Sequence, residues 1–371
     1  MINTLIVDDS ALARDIIRDF LEGDENFNII GEAVDGEDGV QKILSLNPDL
    51  VTLDLEMPKM TGLEVIETVM KKISVPIVVV TSHDTAKNAY EATVKGALEF
   101  YPKDTFSADL SPQKQQEIYE TLKRISGVKA AWKKSPADPF AVEGAPTGEI
   151  TANGAPIGAM TANAGTAGGG AAPSENRIIN KRKIDAVVLA SSTGGPKALS
   201  RFFSLLPGSF PVPIVIVQHN SSGFDKSFAQ WLDAYAALNV KIAEEGETPK
   251  PGAVYIAQTD KHLELRITDG QMILHYNDDE PENNQKPAAD VLFRTAAESL
   301  QQSVISVVLT GMGSDGGAGT RKIHEMGGIT LAQDEASSLI YGMPKAAAET
   351  GCLDMALPLD MIPAELVRLV E

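Results

Sequence analysis

Short, almost wholly apolar runs recur along this chain, and each gives way to a polar or small residue. In the first third they are Leu5-Ile6-Val7, Phe27-Asn28-Ile29-Ile30, Leu50-Val51-Thr52-Leu53, Pro76-Ile77-Val78-Val79-Val80 and Ala97-Leu98-Glu99-Phe100-Tyr101. Runs of this length without strict alternation read as strands covered on both faces. Between them, stretches 11–21, 36–46, 63–72, 86–95 and 113–125 carry the helical period. Repeated strand–helix units predict a flavodoxin-like, five-stranded parallel sheet wrapped by helices, with functional loops at the carboxyl ends of its strands.

The period is lost from about 134 to 183, a stretch of Ala, Gly, Thr and Pro with Phe140 as its only aromatic. It holds too little apolar surface to offset the entropy of ordering and reads as a flexible linker. Periodicity then resumes. Strands are expected at 184–190, 213–218, 253–257, 263–267, 272–275, 304–309 and 328–332, and helices near 196–206, 225–237, 288–301, 316–326 and 360–370. This predicts a second α/β domain with a Rossmann-like sheet, and a hairpin-like insertion near 253–276 that adds antiparallel strands. The expected division is a first domain over 1–130, a linker over 131–183 and a second domain over 184–371.

Length and composition narrow the function. A chain of 371 residues supports two ordinary cores. No apolar run approaches the roughly 18 residues of a membrane span, and the N-terminus enters a strand directly with no signal-peptide pattern, so a soluble, not membrane-inserted protein is expected. The single cysteine, Cys352, allows no internal disulfide and fits a reducing cytoplasm. A net charge of −19, with no basic helix-turn-helix pattern, argues against nucleic acid as a partner.

Two groups of residues at strand ends carry chemistry. Asp8, Asp9 and Asp54 follow the first and third strands, and three carboxylates in one crevice call for a hard divalent cation, most simply Mg²⁺. One carboxylate can take a phosphoryl group as an acyl phosphate. Thr81, ending the fourth strand, offers a hydroxyl, and Lys103, past the fifth, a fixed positive charge. Aspartates after strands often only cap helices, but this combination is too specific for that reading.

The second group begins with Ala190-Ser191-Ser192-Thr193-Gly194, a G-x-S-x-G-like elbow with Ala in first place, which centres on Ser192 as nucleophile. His219 follows a buried strand and is the favoured base among the five histidines. His262 is the runner-up, and His83, His275 and His324 read as surface or structural. The carboxylate that orients the base is assigned to Asp315, in Thr310-Gly311-Met312-Gly313-Ser314-Asp315-Gly316-Gly317, ahead of Asp290 and Asp334. Asp315 also fits a helix N-cap. Backbone N–H groups of Thr193 and Met312 are the expected oxyanion donors. No cofactor is expected for hydrolysis itself.

Val7-Asp8-Asp9-Ser10, Leu53-Asp54-Leu55-Glu56-Met57-Pro58, Val80-Thr81-Ser82 and Lys103 resemble a response-regulator receiver domain. The resemblance implies that Asp54 is phosphorylated, that Asp8, Asp9, Asp54 and the backbone of Glu56 hold Mg²⁺, and that Thr81 and Phe100 switch with Lys103. Two positions depart from that family's pattern: Pro102 precedes rather than follows Lys103, and Thr61 stands where Asp is usual.

Ser-Thr-Gly-Gly-Pro, Gln-His, Asp-Lys-His and Thr-Gly-Met-Gly-Ser-Asp-Gly, with Gln333-Asp334-Glu335-Ala336-Ser337 and Gly342-Met343-Pro344, resemble the chemotaxis protein-glutamate methylesterases of the CheB family. That resemblance implies a Ser192–His219–Asp315 triad and hydrolysis of glutamyl methyl esters on chemoreceptor cytoplasmic domains, releasing methanol. It also implies deamidation of receptor glutamines and a histidine kinase of the CheA type as phosphodonor. Ser191 departs from the family's usual Ala. The alternatives are a catalytically weak, phosphorylation-dependent binding module, or the same esterase serving a receptor array outside chemotaxis.

Overall fold

A computed structural model describes residues 1–82, 86–107, 110–128 and 182–371, the side chains of 86 and 87 excepted. The expected linker, apart from residues 182 and 183, and His83 lie outside the described residues.

The first unit runs β1 (Ile2–Val7), α1 (Ala11–Glu22), β2 (Phe27–Ala33), α2 (Gly36–Leu46), β3 (Leu50–Leu53), α3 (Gly62–Met70), β4 (Ile77–Thr81), α4 (Ala86–Lys95), β5 (Glu99–Pro102) and α5 (Pro112–Gly127). The sheet is parallel throughout, in the order β2-β1-β3-β4-β5. β3 and β4 are buried along their whole length, as apolar runs without alternation require. Polar starts set the helices: the Ser10 side chain caps α1, Asp35 caps α2, and Thr61 with Glu64 forms a capping box on α3. Thr61 thus does a capping residue's work at the position where the receiver pattern differs.

The second unit runs β6 (Ala186–Ser191), α6 (Gly195–Leu205), β7 (Ile214–Gln218), α7 (Asp225–Asp233), β8 (Asn239–Ile242), β9 (Ala253–Ile256), β10 (His262–Thr268), β11 (Gln271–Asn277) and α8 (Ala289–Leu300). It continues through β12 (Val304–Val308), α9 (Gly317–Glu325), β13 (Ile329–Gln333), α10 (Met343–Glu349), β14 (Met355–Leu357) and α11 (Ile362–Val370). Seven strands form a parallel sheet in the order β14-β13-β12-β6-β7-β9-β8. The antiparallel insertion is only β10–β11; β9, expected within it, pairs in parallel between β7 and β8. Burial explains the difference, since every residue of β9 is buried whereas β10 and β11 are partly open.

The two units pack through an aromatic cluster. Tyr90 of α4 stacks on Trp231 at 5.4 Å between ring centroids and meets Phe228 at 5.1 Å, both on α7. Phe100 of β5 lies 4.8 Å from Tyr90 and 5.3 Å from Phe224, the residue preceding α7. The Tyr90 hydroxyl donates to the Phe224 carbonyl at 3.3 Å, and the Tyr235 hydroxyl to Glu91 at 3.1 Å. Removing a buried aromatic side chain costs on the order of 3–5 kcal/mol. Tyr90→Ala is therefore expected to uncouple the units, so that calorimetry resolves separate melting transitions; a single transition at the wild-type temperature would contradict this interface.

Candidate active site and phosphoacceptor site

Adjacent strands β12, β6 and β7 deliver three side chains to one carboxyl edge, where the strand order reverses direction. Ser192 follows β6, His219 follows β7, and Asp315 stands in the turn after β12. The Ser192 N–H donates to the Thr310 carbonyl at 3.1 Å, which binds the elbow to the β12 loop. Gly194 turns the chain into α6 with φ of 76°, a left-handed conformation that costs glycine little. Leu339 packs where a Gly194 side chain would project.

The His219 Nε2 lies 2.8 Å from Asp315 Oδ2, leaving Nδ1 buried without a protein partner. The carboxylate thus meets Nε2, the reverse of the arrangement in which it holds Nδ1, and Nδ1 makes no hydrogen bond to Ser192 here. The Asp315 carboxylate, 2 % exposed, also accepts from the N–H groups of Ala289 (2.6 Å), Asp290 (3.0 Å) and Gly316 (3.1 Å), and from Asn283 Nδ2 (3.1 Å). Burial alone would raise its carboxyl, but the bond and charge of His219 and these N–H groups hold it below the usual range.

Sequence reasoning allowed Asp315 to be a helix N-cap; it caps α8 rather than the helix it precedes. Ala288, at the cap position of α8, offers no side-chain acceptor, and Asp315 takes the first two N–H groups instead. Asp290, in the first turn of α8, reciprocates by accepting from Gly319 of α9 at 2.6 Å. Burial raises the Asp290 carboxyl, opposed by the Gly319 N–H, and the Asp315 charge raises it further. Asn283, left-handed at φ 56°, bridges both carboxylates.

The other candidates lie elsewhere. His262 is fully buried, its Nδ1 accepting from the Ala288 N–H at 3.1 Å and its Nε2 3.1 Å from the Glu280 carbonyl, so neither nitrogen is available as a base. His275 pairs with Glu245 at 2.7 Å. His324 lies on α9, 3.8 Å from Asp354. Asp334 binds the hydroxyl and N–H of Ser337. Ser191 is fully buried and donates to Gln218 at 2.6 Å.

Ser192, Thr193, His219, Met312 and Asn283 line a cavity of about 870 Å³ whose opposite wall is the first unit. Glu99, Phe100 and Tyr101 of β5 and Lys114, Glu117 and Thr121 of α5 form that wall. The Thr121 hydroxyl lies 3.4 Å from the Met312 sulfur, and Gln285 Nε2 donates to Glu117 at 3.4 Å. The Glu99 carboxylate accepts from the Phe100 N–H at 3.1 Å and from the Thr193 hydroxyl. Burial lifts its carboxyl to about 7, against those two bonds. Glu99 and Asn283 escaped sequence reasoning, because neither sits in a motif whose spacing marks it, and Gln218, part of the Gln-His motif, was given no role of its own.

In the first unit, Asp8, Asp9 and Asp54 bring carboxylate oxygens within 4.8 Å of one another, a hard-oxygen donor set that fits a divalent cation. Lys103 Nζ lies 2.8 Å from both Asp8 Oδ2 and Asp54 Oδ2, so Pro102 does not prevent its reach. Burial raises the Asp8 carboxyl, Lys103 lowers it, and Asp54 raises it again. Glu56 is exposed and its carboxylate is outside this cluster. Thr81 is fully buried at the end of β4.

The CheB methylesterase family matches residues 187–366, and the response regulator receiver domain family residues 4–112. The chain is 35% identical, over 390 residues, to the protein-glutamate methylesterase/protein-glutamine glutaminase of Pyrococcus abyssi, covering 100% of this chain and 94% of that one. It is 35% identical over 376 residues to the protein of the same name from Thermotoga maritima, covering 100% and 99% of the two chains. The crystal structure of the Thermotoga maritima CheB methylesterase catalytic domain covers 51% of this chain and 100% of its own, at 43% identity and a TM-score of 0.50. With likeness running through both units from end to end, the chain belongs to the CheB family of receiver-linked methylesterases.

Proposed function

We propose that this chain is a phosphorylation-controlled esterase that hydrolyses glutamyl methyl esters on chemoreceptor cytoplasmic domains and deamidates receptor glutamines. The observation that carries the reading is the His219–Asp315 pair, 2.8 Å apart, in a crevice shared with Ser192 and walled by the receiver. The proposed division is a receiver over 1–130, a linker over 131–183 and a catalytic domain over 184–371, working in the cytoplasm. Among the described residues no helix is long and apolar enough to cross a membrane.

Ser192 Oγ attacks the ester carbonyl while His219 Nδ1 takes its proton, and Asp315 holds the imidazolium through Nε2. N–H groups of Thr193 and Met312 face the developing oxyanion. The C–O bond to the leaving group breaks, His219 returns the proton, and methanol departs. Water, deprotonated by His219, then hydrolyses the acyl-enzyme to glutamate and free Ser192. For a glutamine side chain the same steps expel ammonia.

In the receiver, Asp54 accepts the phosphoryl group from the phosphohistidine of a CheA-type kinase. Asp8, Asp9 and Asp54, with the main chain of Glu56, would hold Mg²⁺, which neutralises phosphoryl oxygens when bound. Lys103 pairs with the product phosphoryl, Thr81 offers its hydroxyl, and Phe100 shifts with it. Because Phe100 packs on Phe224, its shift loosens the wall over Ser192. Methanol release from methylated receptor membranes tests this. It is expected to rise with a small-molecule phosphodonor and Mg²⁺, to vanish in Ser192→Ala, and to stay at the unstimulated rate in Asp54→Asn. No release from wild type under any condition would sink the esterase reading.

Glu99 adds a pH dependence. Docked, its carboxyl holds a proton to about pH 7; freed into water it returns to the ordinary 4.5. The docked state therefore binds more protons across that window, so docking is strongest at its acid end and weakens as pH rises through 7. The ratio of wild-type to Glu99→Gln basal activity isolates this effect from any pH dependence of the chemistry that both share. That ratio is expected to be near one at pH 5 and to climb several-fold by pH 8; a flat ratio would remove Glu99 from the interface.

A further inference from the structure

Gln218 is the last residue of β7, 2 % exposed, and its side chain lies between the two loops that carry Ser192 and His219. Its Nε2 donates to the Ser192 carbonyl at 3.1 Å and to the His219 carbonyl at 2.9 Å. Its Oε1 accepts from the Ser191 hydroxyl at 2.6 Å. The orientation of the amide is over-determined: two carbonyls can only face the amine, and the hydroxyl, with its own rotor, completes the acceptor side. All three partners are residues of the elbow or of the base loop.

We propose that Ser191 and Gln218 form a buried lock that positions the nucleophile and base loops relative to each other, and that Ser191 serves as a positioning residue and not as a second nucleophile. The proposal rests on the esterase reading of Ser192 and His219. The lock meets other local bonds at the same residues. The Ser192 carbonyl also accepts from the Gly195 N–H at 2.7 Å, and the His219 N–H donates to the Ser191 carbonyl at 3.0 Å. A side chain at Gly195 would overlap Gln218 Oε1, so the glycine that starts α6 leaves the space in which the amide sits. Without the Ser191 hydroxyl, Oε1 keeps no donor among the bonds seen at this amide, and a buried acceptor without a partner turns or shifts to find one. Any turn of the amide takes Nε2 away from both carbonyls at once.

The test uses the full chain with phosphodonor and Mg²⁺, and two readouts. One is kcat and KM for methanol release. The other is the rate at which a fluorophosphonate modifies Ser192, where Oγ bonds to phosphorus, fluoride leaves, and the proton passes to His219. Displacing a nucleophile by a fraction of an ångström to 1 Å costs up to about 10²-fold in rate. Ser191→Ala is expected to lower kcat and the modification rate together by about 5–20-fold, with KM unchanged within about twofold. Gln218→Glu, which sets a carboxylate against two carbonyls, is expected to lose about 10²-fold in both. Ser191→Ala added to Gln218→Glu is expected to cost little more, as for residues acting as a unit.

Ser191→Ala with wild-type kcat and modification rate would overturn the lock, as would a lowered melting temperature with both rates intact well below it. Ser191→Ala removes a single oxygen, so it decides the matter even if Gln218→Glu fails to fold. If wild type is modified by the fluorophosphonate but releases no methanol, the proposed substrate fails while the modification rates still judge the lock.

Discussion

A carboxylate taken out of water must be repaid in hydrogen bonds, and Asp315 is the place where this structure meets that requirement most fully. Both of its oxygens are bonded, by His219, three backbone N–H groups and Asn283. Losing any donor would leave charge uncompensated in a medium where that costs several kcal/mol. The turn after β12, the start of α8 and the loop after β7 are therefore fixed to one another through a single side chain. Asp290 repeats the device in reverse on α9, so the two helices exchange caps across the sheet edge. The imidazole is oriented as a by-product of helix capping, and a strong structural bond does the work of tautomer selection.

Strand β5 joins the two chemistries. Within five residues it presents Glu99 to Thr193, Phe100 to Tyr90 and Phe224, and leads to Lys103 at the phosphoacceptor carboxylates. Alternation along a strand sends Glu99 and Tyr101 to one side and Phe100 and Pro102 to the other. One short element thus borders the crevice at Ser192, the aromatic interface and the Asp8 and Asp54 carboxylates.

Much of this was legible in the sequence, and the exceptions share a cause. Central strands announce themselves because burial on both faces makes them uniformly apolar, as with β6, β7 and β12. The strands that escaped notice, β8 and β14, are the two sheet edges, where half-exposed residues weaken the pattern. Helix α10 is seven residues long and rich in alanine, too short for its period to register. At the site, Ser192 and Asp315 stood out because glycine-rich turns follow apolar strands, and His219 because it ends one. Asn283, the exchanged caps and the part played by Gln218 did not, because these roles come from atoms that meet only once adjacent strands are paired. Local sequence carries the ends of strands; it does not carry which ends are neighbours across a parallel sheet.

The state of the His219–Asp315 pair constrains how control can operate. With the receiver docked, the pair is already at 2.8 Å and the elbow already bonded to the β12 loop. Had the receiver acted by distortion, the polar bonds at Asp315 would be the first to break, since each is buried and costly to lose. They are intact, whereas the crevice beside Ser192 is walled by β5 and α5. On the proposed function, regulation of such a site works by admitting substrate rather than by assembling catalysts. The energy that phosphorylation supplies is, on the proposed function, that of separating the Tyr90–Trp231 interface, not that of rebuilding a buried charge network. The polar network at Asp315 and the aromatic interface at Tyr90 use different side chains, so on that reading the first can stay fixed while the second gives way.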